Sequence, residues 1–203
     1  MTAEFLITSM IVVLLPGAGV LFTLATGLGR GSLASILAAF GCTIGILPHM
    51  LASIFGLAAL LHASATAFQA IKYAGAAYLL YLAWGVLKEG GVLDVKPDWQ
   101  AKPAARIIVD AIAINSLNPK LSIFFLAFLP QFIPVGYDEP ARLMLGLGLI
   151  FMAMTFVVFV TYGLLASAMG NHVISRPRLV AWIQKSFAAT FGLLAIKLAF
   201  SER

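Results

Sequence analysis

Two carboxamides, a proline and a lysine crowd into the stretch Asn115-Ser116-Leu117-Asn118-Pro119-Lys120, inside an otherwise apolar run. Residues of these types at this spacing suit one task above others, the binding of a small charged or zwitterionic molecule. Pro119 deletes a backbone donor and frees the carbonyl one turn earlier. Asn118 before Pro119 reads as a helix N-cap followed by the first helical residue. The positive end of that new helix favours an anion, and Lys120 adds a full charge beside it. A second interruption, Leu15-Pro16-Gly17-Ala18-Gly19, breaks another apolar run and frees carbonyl oxygens that suit an ammonium. A substrate carboxylate is therefore expected at Asn118 and Lys120, with its ammonium on the carbonyls near Leu14 and Leu15 or on the amide of Asn115. The candidate binding residues are Pro16, Gly17, Gly19, Asn115, Asn118, Pro119 and Lys120.

Such a site needs a scaffold, and composition identifies its class. The 203-residue chain is 62% hydrophobic and 10% charged, with a mean hydropathy of +1.01. Soluble domains carry about 25% charged residues, and 13 basic plus 8 acidic side chains are too few to solvate this chain as a globule. A soluble enzyme, a nucleic-acid binder and a secreted disulfide scaffold are excluded. Apolar segments run roughly over 4–26, 33–61, 68–87, 106–133, 142–169 and 179–200, each long enough to cross ~30 Å of hydrocarbon. They are apolar all round and rich in Leu, Ala, Ile and Gly, so they read as helices rather than the short alternating strands of a barrel. Glu4 is the only early charge, and the first segment is too long for a removable signal.

The stretch from Lys88 to Arg106 is the one charge-rich linker; Leu28–Ser32 and His62–Ala67 read as tight turns. The chain is expected to form a single transmembrane domain over 1–203, made of a three-helix repeat at 1–88, a cytoplasmic linker at 89–105 and a second repeat at 106–203. An odd number of helices per repeat inverts the second copy. Pro16 and Pro119 fall at matching depths of the first and fourth segments, about 12 and 13 residues in. Breaks at corresponding positions of two repeats are the sequence pointer to a transporter's binding site. Arg30, Lys88, Lys96, Lys102, Arg106, Arg176 and Arg178 lie on one side, against Lys72, Arg142, Lys197 and Arg203 on the other. Positive charge marks the cytoplasmic side, so both termini are expected to face outward.

Plainer readings stand beside these. Prolines alone can be structural kinks. Lys120 is different, because a lysine at the bilayer centre costs at least ~2.5–3.5 kcal/mol, and about 20 Å of helix separates it from either segment end, too far to snorkel. Asp110 either pairs with Arg106 at i−4 or carries a coupling proton. His49, after Pro48, either satisfies a carbonyl freed by the kink or relays protons. Tyr78, Tyr81 and Trp84 read as interface anchors, and Gly41 and Gly45 as a close-packing pair. The lone Cys42 allows neither an internal disulfide nor a C-x-x-C pair. Three histidines and few intramembrane carboxylates argue against a metal cage. There is no G-x-x-x-x-G-K loop, so energy comes from an ion gradient or a separate partner; no cofactor is expected.

Pro16-Gly17, Gly29-Arg30-Gly31 and Gly75-Ala76-Ala77-Tyr78-Leu79-Leu80-Tyr81-Leu82 resemble the lysine exporter family, which includes the homoserine/threonine exporters. The strongest match is Asn115 to Lys120 followed by Phe124-Phe125-Leu126-Ala127-Phe128-Leu129-Pro130-Gln131-Phe132, and the resemblance spans almost the whole chain. It implies a bacterial inner-membrane exporter of amino acids or related metabolites, driven by the ion gradient. Members of that family often carry a histidine near position 49. One departure is Ala18, where the family usually has a second proline after Pro16-Gly17.

The expected fold is thus all-α: six transmembrane helices in two inverted three-helix repeats, with the first and fourth broken at the midplane. The expected function is secondary active export of an amino acid or similar small zwitterion by proton antiport, with Asp110 and His49 as candidate proton carriers and with substrate, protons and bilayer as partners; a homodimer is left open. A divalent cation transporter is the alternative, an intramembrane enzyme built on Ser53 and His49 a rival of another class, and an assembly subunit a third.

Overall fold

A computed structural model describes residues 3–61, 103–134 and 136–169, with isolated helical positions between 73 and 84 and between 189 and 199. The third and sixth expected segments and the charged linker lie largely outside the described residues, as do Tyr78, His62 and His172. Among the described residues every regular element is helical. They are α1 (Ala3–Leu14), α2 (Ala18–Ile44), α3 (Leu47–Leu61), α4 (Ala104–Ser116), α5 (Pro119–Ile123) and α6 (Pro140–Met169). A wide π-helical turn at Phe124–Phe128 and a 3₁₀ turn at Leu129–Phe132 continue α5.

The helix ends fall where proline chemistry puts them. Leu15 precedes Pro16 and is barred from helical geometry by the ring, so α1 stops at Leu14. Gly17 is fully extended and α2 restarts at Ala18. In the second half Leu117 ends α4, and Asn118 adopts the extended conformation a residue before proline requires (φ −78°, ψ 108°). The Asn118 side chain accepts from the Lys120 backbone N–H at 3.1 Å, which makes it the expected cap, with Pro119 at the first helical position. The 104–116 and 119–132 stretches meet at 50°. Both interruptions expected from sequence are therefore present.

The turn expected over Leu28–Ser32 takes a more economical form. Helical geometry runs through Arg30, a single glycine departs, and helix resumes at once. Gly31 has φ 82° and ψ −174°, a region essentially closed to residues with a Cβ. The chain reverses there. A straight helix would separate Gly19 from Cys42, 23 positions on, by about 35 Å, yet Cys42 Sγ lies 3.7 Å from Gly19 O. Thr23 and Ser35, on opposite arms, both flank Gly163 of α6. The apolar stretch 18–56 is thus a hairpin whose returning arm runs on into α3. Together with 140–168 and the bent 104–132 pair, it supplies helices long and apolar enough to cross a bilayer.

Small residues let these helices approach closely, as membrane interfaces require. A Cβ at Gly41 would stand 2.6 Å from Ile108 O and 2.7 Å from the Ala111 Cβ; one at Gly45 would stand 2.8 Å from Ile112 O. The Gly41/Gly45 pair is therefore the contact between α2 and α4. On the other side of the breaks the aromatics close the core. Phe124 stacks on Phe151 at 4.4 Å, Phe125 meets Phe151 edge-on, and Phe5 of α1 meets Phe132 edge-on at 5.3 Å. Tyr81 and Trp84 are exposed, as anchors at a membrane interface would be.

Gly41→Val should therefore lower thermal stability by an amount equivalent to about 1–3 kcal/mol of overpacking, or prevent folding. Gly146→Val, at a position where no described residue lies within 4 Å of an added Cβ, is the control and should leave the melting temperature unchanged. Fluorescence-detected size exclusion of heated, detergent-purified protein measures both.

Candidate functional site

In hydrocarbon no water meets a stray carbonyl, so each one left by a helix break needs a protein partner. Pro16 has no N–H, and the carbonyl it leaves without its i+4 donor is that of Val12. Lys120 reaches it from the other half of the chain. Its Nζ donates to Val12 O at 3.1 Å and to Leu15 O at 2.8 Å. Tyr162 of α6 covers the carbonyl between them in sequence, donating to Leu14 O at 3.1 Å. The end of α1 is thus sealed by an ammonium and a phenol, both from the second half.

The other break is repaired in the opposite direction. Pro119 leaves the carbonyl of Asn115 without its i+4 donor. The Asn118 N–H gives it a tighter bond at 3.1 Å, and His49 Nε2, from the first half, lies 3.0 Å from the same oxygen. A carbonyl only accepts, so Nε2 carries the proton. Nδ1 faces Ser122 Oγ at 3.1 Å, which completes both ring nitrogens. His49 thus meets a carbonyl freed by Pro119 in the other half of the chain, not the one that a Pro48 kink would free in its own helix.

The carboxamides join the two repairs. Asn118 Nδ2 donates to Asn115 Oδ1 at 3.1 Å, and Asn115 Nδ2 donates to Cys42 O at 2.6 Å. Thr23 Oγ1 donates to Gly19 O at 2.9 Å. The glycines are there because these side chains come so close. A Cβ at Gly19 would stand 2.6 Å from Asn115 Oδ1, and one at Gly17 would stand 3.2 Å from Lys120 Nζ and 3.5 Å from Asn118 Nδ2. Asn115, Asn118, Lys120 and His49 are all buried. Among the described residues no carboxylate lies within ion-pair distance of Lys120.

Pro16, Gly17, Gly19, Asn115, Asn118, Pro119 and Lys120 thus come together from the two halves of the chain, with His49 behind them. Asp110 does not join them. It sits more than a turn before Asn115 on α4 and pairs with Arg106 at 2.9 Å, as the i−4 spacing allows. Sequence reasoning did not find Tyr162, Ser122, Thr23 or Cys42 as participants. Ser122 carried a faint signal, lying close after Pro119, whereas Tyr162 and Thr23 looked like ordinary residues of apolar helices. Among the described residues no three of His, Cys, Asp and Glu come together.

The sequence matches the model of LysE type translocators over residues 10–202. The chain belongs to the LysE type translocator family. It is 30% identical over 195 residues to the homoserine/homoserine lactone efflux protein of Salmonella typhimurium, covering 96% of this chain and 94% of that one. To the leucine efflux protein of Klebsiella pneumoniae it is 29% identical over 199 residues, covering 96% and 92%. An uncharacterized membrane protein of Pseudomonas aeruginosa is 33% identical over 201 residues, covering 95% and 88%. No solved structure matches the chain. Membership of the LysE type translocators makes this a membrane protein of an amino-acid efflux family. Neither an enzymatic family nor a cation transporter is indicated by these relatives.

Pro119→Ala returns an N–H to the Asn115 carbonyl, so it should make His49 less necessary there. His49→Phe should cost about 1–3 kcal/mol of stability, the usual penalty for a buried group stripped of a partner. In the Pro119→Ala background the same change should cost clearly less. A double-mutant cycle on thermal or denaturant unfolding reads the coupling; equal costs in both backgrounds would show that the histidine does not serve this carbonyl.

Proposed function

We propose that this LysE type translocator is a secondary active exporter of amino acids or closely related primary amines, exchanging them for protons by alternating access. The observation that carries the reading is the pair of matched helix breaks joined by a buried ammonium. A membrane helix that is only a span has no use for Lys120, whose placement at mid-bilayer is costly. Pro16, Gly17, Gly19, Asn115, Asn118, Pro119 and Lys120 are the proposed substrate residues. The α1 carbonyls suit an ammonium and the Asn115 and Asn118 amides suit a polar or carboxylate group. The names of the relatives support the substrate class. Homoserine, homoserine lactone and leucine share a primary amine, and the lactone has no free carboxylate.

The fold that would run this exchange is six membrane helices in two inverted three-helix repeats, 1–88 and 106–203, joined by a cytoplasmic linker at 89–105. Both termini would face outward from the inner membrane, as the basic residues on the linker side support. In that arrangement the two breaks cross at a fixed midplane site while the repeats rock around it. His49 and Asp110 are the proton-carrier candidates that sequence offers. Each has a partner in this conformation, His49 on Asn115 O and Asp110 on Arg106.

Everted membrane vesicles or proteoliposomes loaded with radiolabelled leucine, homoserine and other amino acids test the proposal. Export of at least one of them should accelerate several-fold when an opposing pH gradient is imposed, and Lys120→Met should abolish that acceleration. No response to the gradient across the substrate series would refute proton exchange. Topology is checked separately. A reporter active only in the cytoplasm should be silent when fused after Arg203 and active when fused near Val95, and the reverse pattern would overturn the orientation.

A further inference from the structure

Lys120 already occupies the place that a substrate's ammonium needs. Its Nζ lies 3.1 Å from Val12 O and 2.8 Å from Leu15 O. These carbonyls, at the C-terminal and hence negative end of α1, are the partners of its charge. The Lys120 side chain is held against Gly17, where even a methyl group would come within 3.2 Å of it. A primary ammonium on a substrate has the same charge, the same three donors and the same preferred distances. Two such cations cannot share one pair of carbonyls. At the ~4 Å separation this would impose, their repulsion is several kcal/mol even at an effective dielectric constant of 20.

We propose that Lys120 is the coupling residue of transport, its ammonium being a tethered stand-in for the ammonium of the substrate. This deepens the reading of the protein as a proton-coupled exporter and rests on it. The arriving primary ammonium displaces Lys120 from Val12 O and Leu15 O. Lys120 departs as the neutral amine: one N–H bond breaks, its electron pair stays on Nζ, and the proton passes to water. When the substrate leaves on the far side, Nζ takes up a proton and returns to the two carbonyls. The site holds one ammonium in either state, so neither the carbonyls nor a buried cation is ever stranded. Antiport requires that the two cargoes exclude one another, and here exclusion is steric and electrostatic at one pair of oxygens. The substrate class that follows is primary ammonium compounds, with or without a carboxylate.

Other ionisable groups surround the site. Among the described residues they are Cys42 on α2, 3.7 Å from Gly19 O, His49 on α3, 3.0 Å from Asn115 O, and Tyr162 on α6, 3.1 Å from Leu14 O. Asp110 on α4 pairs with Arg106. None of these touches the two carbonyls that Lys120 holds, so none can be expelled by a substrate that takes them.

The test counts protons on the purified, full-length wild-type protein. Calorimetric titration with L-leucine, L-homoserine and homoserine lactone, repeated in buffers of different ionisation enthalpy, gives the protons released per molecule bound. About one proton should be released for each ligand, and apparent affinity should rise up to about tenfold per pH unit while Lys120 is protonated, as reciprocal linkage demands. Lys120→Met should remove both the proton release and the pH dependence. Lys120→Arg, which cannot give up its proton, should block binding at every pH. Binding by the wild type with no proton released would overturn the proposal, and would point to a lysine that stays charged and moves onto the substrate carboxylate. Proton release that persists in Lys120→Met would overturn it in favour of another carrier. If Lys120→Met does not fold, the wild-type proton count and Lys120→Arg still decide. If gradient-driven export fails for every substrate in vesicles while proton-releasing binding is intact, the transport reading falls and the exchange at Val12 and Leu15 stands.

Discussion

A backbone carbonyl in hydrocarbon must have a donor, and two prolines in this chain each take one away. What the rest of the structure does at the two breaks follows from that constraint. Pro16 strips the donor from Val12 O, and a lysine 108 residues away replaces it. Pro119 strips one from Asn115 O, and a histidine 66 residues away adds its own. Each half of the chain repairs the other's break. A defect in one helix is thereby converted into a long-range tie, and neither break is held by its own half alone. The glycines at 17 and 19 and the pair at 41 and 45 are the geometric condition for this. Without them Lys120 and Asn115 could not come within hydrogen-bond reach of the α1 end and of α2.

The same exchange explains why the polar side chains are few. Asn115 and Asn118 each serve twice, one bridging to Cys42 O and the other capping α5 while donating to Asn115. Thr23 and Tyr162 bond backbone oxygens. Hydrogen bonds between membrane helices are individually modest, averaging about 0.6 kcal/mol in double-mutant cycles. A conformational change that trades several of them for equivalent ones is therefore within reach of a small ligand's binding energy. That is the energetic situation a transporter needs.

Sequence revealed the site better than its wiring. Proline acts on the two residues around it by covalent geometry, so both breaks and the Asn118 cap could be read directly. Lys120 stood out because a charge in an apolar run has few cheap explanations. Which oxygens it reaches depends on contacts across more than a hundred residues, and no local pattern encodes them. The two options for His49 and for Asp110 were visible as options only. The one-residue reversal at Gly31 was anticipated as a longer turn, since Gly29-Arg30-Gly31 offers two glycines and φ decides between them. The wide turn at Phe124–Phe128 had no mark at all, being set by how Ser53 and the aromatics of α6 pack on it; Ser53 Oγ donates to the Phe125 carbonyl.

The reversal at Gly31 has a mechanical corollary. A loop of several residues lets two antiparallel helices slide and roll against one another, but a joint of one residue leaves no slack chain for sliding, and the two arms are tied by Cys42 against Gly19 and by their shared contact with Gly163. The arms 18–30 and 32–44 therefore constitute a single lever. Its compliance is concentrated where helical bonding is interrupted, at 15–17 and 45–46, with the matching soft point of the other half at 117–118. Any motion of this lever as a body would therefore turn on the side chains that close the breaks rather than on the hairpin's tip.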